Sequence, residues 1–275
     1  MRDSEFEFIR TLVYKRSRIS LGPDKRELVA ARLGKRLRAV ELASFGAYCR
    51  LLQTPAGEAE SSHLIDAIST NHTAFFREKG HFEFIRDKIV PELRARARSE
   101  RWTRLHAWSA ACSSGEEPYS LAITLAEAMP GAGWSWHIEA TDISSRVLRQ
   151  AQAAVYAASA LDPLPAIRRR AHFQQGIGPQ AGNYRVKREL QSGVTFRQLN
   201  LLGDAIPFTE PFQLILCRNV MIYFDQSTQE ELVNRLARQL VPGGYLLVGH
   251  AESLTGIRHS LHMVKPAVYR RPSAA

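Results

Sequence analysis

The stretch 108–120, WSAACSSGEEPYS, holds the residue types that most plainly call for a ligand. An apolar lead (Leu105, Ala107, Trp108, Ala110, Ala111) runs into small residues, then Gly115, Glu116, Glu117 and Pro118, where a helix can open. A dinucleotide turn needs G-x-G-x-x-G so that backbone can press against a pyrophosphate. Only Gly115 is present, and carboxylates stand where a phosphate would be repelled. Two other apolar runs end in polar residues. HIEATD closes on Asp142, an acid able to accept two ribose hydroxyls and equally able to cap the helix of ISSRVLRQ. FQLILCRNV runs into Arg218 and Asn219. A guanidinium at a sheet rim needs an anionic partner, and an Asn offers donor and acceptor to an adenine edge or a backbone.

A ribose acid without a phosphate cradle excludes most di- and triphosphate nucleotides. A nucleoside with a cationic, aminoacyl end fits better, and S-adenosylmethionine is that molecule. Its ammonium and sulfonium match Glu116 or Glu117, and its carboxylate matches an arginine.

These residues need a scaffold that brings strand ends together. After residue 100, RLHAWSAA, SWHIEATDI, FQLILCRNV and YLLVGH read as strands. EPYSLAITLAEAM, SSRVLRQAQAAVY and QSTQEELVNRLARQL read as helices, the last closed by PGG. Alternation of this kind predicts an α/β fold with a doubly wound, mainly parallel sheet, whose ligands sit beyond the carboxyl ends of the strands. HMVKPAVYR is expected to add a strand at the edge, and the tail RRPSAA to fray. Residues 172–199 contain three short strand-like runs with no helix between them, so they are expected to form a small antiparallel β-subdomain insert. Residues 1–70 read as helices only, with Val29, Leu33, Leu37 and Val40 facing a core and Arg32, Lys35, Arg36 and Arg38 on the other side. The division expected is therefore a helical domain over 1–70, a catalytic domain over 71–275, and the insert at 172–199 within it.

The bulk composition narrows the setting. The 275 residues carry a net charge of +10, and residues 16–50 hold nine basic residues against three acidic ones. An acidic partner is implied, although a charged helix face is more often simply solvated. No apolar run of about 18 residues is present to span a membrane, and the N-terminus is too charged for a signal peptide. Cys49, Cys112 and Cys217 form no C-x-x-C pair, which argues for reduced thiols, a cytoplasmic setting and no zinc site, so no metal is expected. No coiled-coil seam is evident, so a monomer is expected.

The stretches TNHTAFFRE, WSAACSSGEEPYSLA, ATDIS, LNLL and CRNVMIYFD…LVPGGYLLVGHAES run in order along the chain. In that order they resemble the chemotaxis receptor methyltransferases, the CheR family of protein-glutamate O-methyltransferases. The resemblance covers essentially the whole chain and implies a class I, Rossmann-like methyltransferase fold. Its implied cofactor is S-adenosylmethionine, with S-adenosylhomocysteine as product. The cofactor contacts it implies are Asn71, Thr73, Arg77, Glu117, Asp142, Asn200, Leu201, Arg218 and Asn219, with Tyr223 and Arg77 beside the reacting centre. Cys112 departs from the family's usual small residue and is expected to be tolerated but sensitive to alkylation. Without the family, Tyr223 would read as a strand cap and Arg77 as the partner of Glu78 or Asp87. His250 is expected to line the pocket or serve structure, and His72 and His81 to be surface or packing residues.

The implied substrates are glutamates on the cytoplasmic methylation helices of chemoreceptors. Arg32, Lys35, Arg36 and Arg38 would steer onto that acidic rod. Some family members also hold a C-terminal receptor peptide as an added strand on the β-subdomain. Gly178 in GIGPQAG, with Arg185 and Arg188, resembles that version. Two rivals remain at this stage, a nucleic-acid methyltransferase and a cofactor-binding regulator without turnover. The first would show an [DN]-P-P-[FYW] pocket or a reactive cysteine with a P-C signature, and the chain has neither, so no nucleic acid is expected; nor, without an apolar span, is membrane insertion.

Overall fold

The computed structural model describes residues 1–131 and 134–273, so the end of the tail expected to fray lies outside the described residues. The chain opens with four helices, α1 (Asp3–Ser17), α2 (Arg26–Ala39), α3 (Phe45–Leu52) and α4 (Gly57–Ile68). Their apolar faces close over a core of their own that includes Phe6, Ile9, Val13, Leu33, Tyr48 and Leu64. Val29, Leu33 and Leu37 are buried as the helical spacing predicts, and Val40 packs at the margin. Ser44 accepts the Ala47 N–H and so starts α3, as a cap should.

A helix left unassigned by the sequence reading follows. It runs through α5 (Gly80–Phe84), a π-turn over Ile85–Ile89, and α6 (Val90–Ala97). Pro91 has no N–H to give the preceding turn, and the wider π-turn stands where that hydrogen bond is missing.

The larger domain alternates β1 (Arg104–Ala110), α7 (Glu116–Ala128), β2 (Ser135–Asp142), α8 (Ser145–Ala153), β3 (Val155–Ala157), α9 (Ala166–His172) and β4 (Phe173–Gln175). It continues through β5 (Asn183–Val186), α10 (Arg188–Gln191), β6 (Val194–Gln198), β7 (Phe212–Cys217), α11 (Gln226–Gln239), β8 (Leu240–Val248), β9 (His262–Lys265) and β10 (Val268–Arg270). Seven strands form one sheet in the order β6-β2-β1-β7-β8-β10-β9. The first five are parallel, and the β9–β10 hairpin adds an antiparallel edge. Strand order reverses at β1, so the crevice opens where its carboxyl end runs into the 111–115 turn. Alternate residues of β1 serve opposite faces, Leu105 and Ala107 one core and Trp108 and Ala110 the other.

Five details differ from the sequence reading. The helix from Ser144 stops at Ala153, where Ala154 turns left-handed, and Val155–Ala157 leave as a strand. The small antiparallel sheet therefore has the order β3-β5-β4 and draws on 155–186 rather than 172–199. VTFRQ is not part of it: β6 pairs with β2 in parallel and forms the far edge of the main sheet. PGG lies inside β8, where the pairing with β7 slips register between Phe212 and Leu214. The final run is a hairpin rather than one strand because Pro266 and Ala267, the latter at φ 63°, turn the chain.

Candidate active site

The turn that replaces a glycine-rich loop is held in an unusual backbone by its neighbours. Ala111 and Ser113 both take positive φ, 64° and 50°, a region costly for residues with a Cβ. Asp142 Oδ2 accepts the Ser113 N–H at 2.9 Å, the Thr141 carbonyl accepts the Cys112 N–H at 2.8 Å, and the Ser113 hydroxyl donates to the Asn71 carbonyl at 2.9 Å. Gly115 is required for a different reason. At φ 98° an added Cβ would lie 2.7 Å from Tyr156 Oη and 2.9 Å from Ala151 Cβ. The turn is thus built to sit tightly on α8 and β3, with its polar rim toward the crevice.

Asp142 is buried, and its second oxygen accepts the Ser144 N–H at 2.9 Å. Ser144, not Asp142, caps α8, since its side chain accepts the Val147 N–H. Burial raises the Asp142 carboxyl above its ordinary value, with the two backbone N–H groups opposing.

At the end of β7 the Arg218 guanidinium is buried among carboxylates. It donates to Glu117 Oε2 at 2.9 Å, to Glu78 Oε2 at 2.9 Å and to the Arg77 carbonyl at 2.5 Å. Ser109 Oγ donates to the other oxygen of Glu117 at 2.7 Å. Two partly buried carboxylates on one buried guanidinium give the group more acids than bases. Burial pushes Glu117 up, Arg218 and Ser109 opposing it. Burial acts on Glu78 in the same sense, but Arg218, the His250 N–H and the Asn219 side chain outweigh it and bring the carboxyl down to about 2. The arginine expected to meet a ligand's carboxylate is therefore already engaged by the protein's own acids.

Beyond it, Asn219 stands at φ 59°, its N–H donating to Glu252 Oε2 at 2.8 Å. The same carboxylate accepts the Met221 and Gly249 N–H groups at 2.7 and 2.6 Å. Gly249 allows this approach, for a Cβ there would stand 2.5 Å from Asn219 Nδ2. Glu78 and Glu252 were both missed by the sequence reading. AFFRE and HAES contain them, but nothing local marks either as a partner of CRN.

All ten cofactor and catalytic candidates line one cleft of about 1000 Å³, solvent at its mouth included: Asn71, Thr73, Arg77, Glu117, Asp142, Asn200, Leu201, Arg218, Asn219 and Tyr223. The helical domain supplies part of its wall through Ser17, Ile19 and Ile68. Tyr14 donates to Asp225 at 2.7 Å, and Asn200 Nδ2 donates to the Arg16 carbonyl at 2.9 Å, which ties the two domains together. Asn200 also accepts the Leu202 N–H, so its side chain shapes the loop rather than standing free. Arg77 donates to the His72 carbonyl and pairs with no carboxylate among the described residues. Glu78 and Asp87, its alternative partners, pair with Arg218 and Arg86. Tyr223 lies in a 3-10 turn beyond β7 and lines the cleft, its carbonyl accepting the Ser20 N–H at 2.8 Å. Cys112 is fully enclosed; burial, with Asp142 and Glu117 nearby, pushes its thiol well up, which contradicts the expected alkylation sensitivity. His81 is buried packing, His250 is exposed with its N–H on Glu78, and His72 lines the cleft.

The chemistry of the cleft suits S-adenosylmethionine. Arg218 with Glu78 and Glu117 offers surplus carboxylate to an ammonium and sulfonium. Asp142 retains a lone pair on each oxygen for a diol. Asn71 Nδ2 is a buried donor without a partner among the described residues, on the cleft wall.

The basic face is altered by packing. Arg36 makes a two-pronged ion pair with buried Glu60 at 2.8 and 2.6 Å, and Tyr48 shares that carboxylate. Arg32 donates to the Ile68 carbonyl and to Thr70 Oγ1, holding the chain at the cleft mouth. Lys35 and Arg38 stay exposed, so of the four expected to steer substrate only these two are free. Gly178 lies in an open loop at φ 54°, and Arg185 and Arg188 are exposed on β5 and α10.

An open, mainly parallel sheet with an acid at the end of β2 and no phosphate cradle defines a class, the S-adenosylmethionine-dependent methyltransferases. Residues 71–270 match the CheR methyltransferase, SAM binding domain family, and residues 4–69 match the CheR methyltransferase, all-alpha domain family. The chain belongs to the CheR methyltransferase family. It is 40% identical to the chemotaxis protein methyltransferase of Klebsiella aerogenes over 269 residues, 98% of this chain and 90% of the relative. That of Salmonella typhimurium is also 40% identical, with the same shares covered. Chemotaxis protein methyltransferase 2 of Pseudomonas aeruginosa is 40% identical over 96% of this chain and 92% of its own. The chain is thus an S-adenosylmethionine-dependent methyltransferase of chemotaxis. Among the described residues no helix is long and apolar enough to cross a membrane.

Proposed function

We propose that the chain esterifies glutamate side chains on the cytoplasmic methylation helices of chemoreceptors. One observation carries the reading: Arg77 and Tyr223 share the cleft with Asp142 and Glu117, yet among the described residues neither side chain is paired with a carboxylate. S-adenosylmethionine, when bound, supplies a methyl group on a sulfonium. The acceptor is a carboxylate with an ordinary pKa of about 4.3, already anionic at neutral pH, so no residue has to remove a proton. The chain's task is to bind, orient and exclude water. Asp142 and Asn71 hold the nucleoside end, while Glu117 and Glu78 with Arg218 hold the cationic end. Tyr223 and Arg77 align the incoming carboxylate. Alignment of this kind can be worth about 7–11 kcal/mol.

The helical domain over 1–70 guides the acidic receptor rod to the mouth of the cleft through Lys35 and Arg38. A receptor's C-terminal peptide adds a strand to β3 or β4, since β5 lies between them. Exposed Arg185 on β5 and Arg188 on α10 meet its acidic groups, and the open loop at Gly178 leaves room. Such a tether raises the local concentration of the methylation sites without changing the active site.

The reaction is tested by incubating the chain with labelled cofactor and receptor membranes and then treating with alkali. A glutamate methyl ester releases volatile methanol. Label that stays on protein or appears in nucleic acid would refute the assignment.

A further inference from the structure

Away from the cleft, three side chains with metal-ligating atoms meet on the sheet face that carries Trp108. β1 and β2 run parallel with His106 opposite His137. The two-residue period of a strand puts Glu139 on the same face as His137. Trp108 Nε1 donates to Thr141 Oγ1 at 2.9 Å, which fixes Thr141 and its alternate neighbours to that face. The imidazole centroids of His106 and His137 are 5.7 Å apart. One ligand atom from each of His106, His137 and Glu139 lies within 4.8 Å of the other two. Glu139 turns Oε1 toward His137 Nε2 at 3.4 Å, while Arg197 on β6 donates to Oε2 at 2.9 Å.

His106 adds an independent sign. It is 8% exposed, and its Nδ1 is buried with no hydrogen-bond partner among the described residues. Such an orphan is costly unless something pairs with it. The ring is fixed by Phe212, whose centroid lies 4.3 Å away. The His137 side chain is 22% exposed, so the cluster is reachable from solvent.

We propose that His106, His137 and Glu139 form a binding site for a divalent first-row transition metal of the zinc type. Two imidazoles and one carboxylate are a donor set that zinc takes with a fourth position open. All three ligands stand on paired strands, so a small contraction of side chains completes the site and no loop has to move. Arg197 is the outer partner that keeps the carboxylate oriented. A metal here clips β1 to β2, and the far ends of those strands carry the 111–115 turn and Asp142. The expectation of no metal rested on cysteine spacing; this cluster exists only once the strands pair. The other His–Glu group, Glu78, His81 and His250, does not compete: both Glu78 oxygens are engaged, Oε2 by Arg218 and Oε1 by the His250 N–H and the Asn219 side chain, and the Arg218 side chain is locked at 1% exposed. By contrast, Glu139 Oε1 faces His137, and the Arg197 side chain, 54% exposed, can turn away.

The test is titration of the metal-free full chain with zinc, followed by calorimetry, and with cobalt(II), followed by its visible absorption. The site takes one equivalent and gives the intense bands of a low-coordinate cobalt centre. His137→Ala and Glu139→Gln each lower the affinity by more than the about 10–100-fold that loss of an outer partner costs. His250→Ala leaves it unchanged. Zinc raises the melting midpoint of the wild-type chain but not of His137→Ala, and circular dichroism verifies that both variants fold. Absence of stoichiometric binding by the wild type, or binding unaltered in both ligand variants, overturns the site. Loss in His250→Ala instead would move the metal to the other cluster and overturn it equally.

Discussion

Glu78 Oε2 stands 2.9 Å from Arg218 Nη2, an ion pair between residues 140 positions apart in sequence. It joins the segment before α5 to the end of β7 and sets the charge of the cleft wall. The Glu78 carboxyl lies at about 2 against an ordinary value of 4.5, so its contribution to stability is fully present above pH 4.5 and lost as pH falls through 2. Glu117 and Asp142, raised by burial, contribute in the opposite sense, so the comparison has to be made against a variant. Glu78→Gln should be less stable than wild type at neutral pH by about 3 kcal/mol. The gap should close between pH 4.5 and 2, as read by denaturant unfolding at each pH.

The four basic residues of α2 should separate into two classes. Arg36→Glu breaks the buried pair with Glu60 and should cost about 3–5 kcal/mol in unfolding experiments. Lys35→Glu with Arg38→Glu should leave the melting midpoint nearly unchanged. The double change should slow receptor methylation most at low salt, with the difference fading as the Debye length falls below about 8 Å. Equal rates at all salt concentrations would return both residues to a merely solvated face.

Cys112 lies on the cleft but should resist modification. All three cysteines are buried, and burial holds each thiol above its ordinary value. Mass spectrometry after treatment with iodoacetamide should find no adduct on the native chain and three after denaturation. Rapid labelling of Cys112 in the native state would mean that the 111–115 turn opens.

Tyr223→Phe should divide turnover from binding. Removing one orienting hydroxyl should lower kcat by about tenfold, near 1.4 kcal/mol, while cofactor affinity stays within a factor of two. Arg77→Ala should lower kcat and raise the KM for receptor. Full turnover in Tyr223→Phe would remove that hydroxyl from the mechanism.

Much of this architecture was legible along the chain. Strand residues of one kind followed by Cys112–Glu117, Asp142 or Arg218 mark local strand ends, and local patterns are what a sequence displays. The ion pair of Glu78, the three backbone N–H groups gathered by Glu252 and the Arg36–Glu60 pair are long-range, so AFFRE, HAES and KRLR show no trace of them. Val155 and Tyr156 continue a helical run in their residue types, yet pairing with Arg185 and Tyr184 draws them into a strand. VTFRQ looks like part of the insert because no helix separates it from β5 beyond the short α10. Its partner, β2, lies earlier in the chain, where nothing adjacent could announce the pairing.

The account rests most directly on the cleft between the 111–115 turn, Asp142 and Arg218. Calorimetry of the purified chain with S-adenosylhomocysteine measures it. One molecule should bind per chain, with Asp142→Ala and Glu117→Ala each abolishing the heat while keeping the fold by circular dichroism. No association with the wild-type chain, or undiminished association in both variants, would contradict the assignment of this cleft.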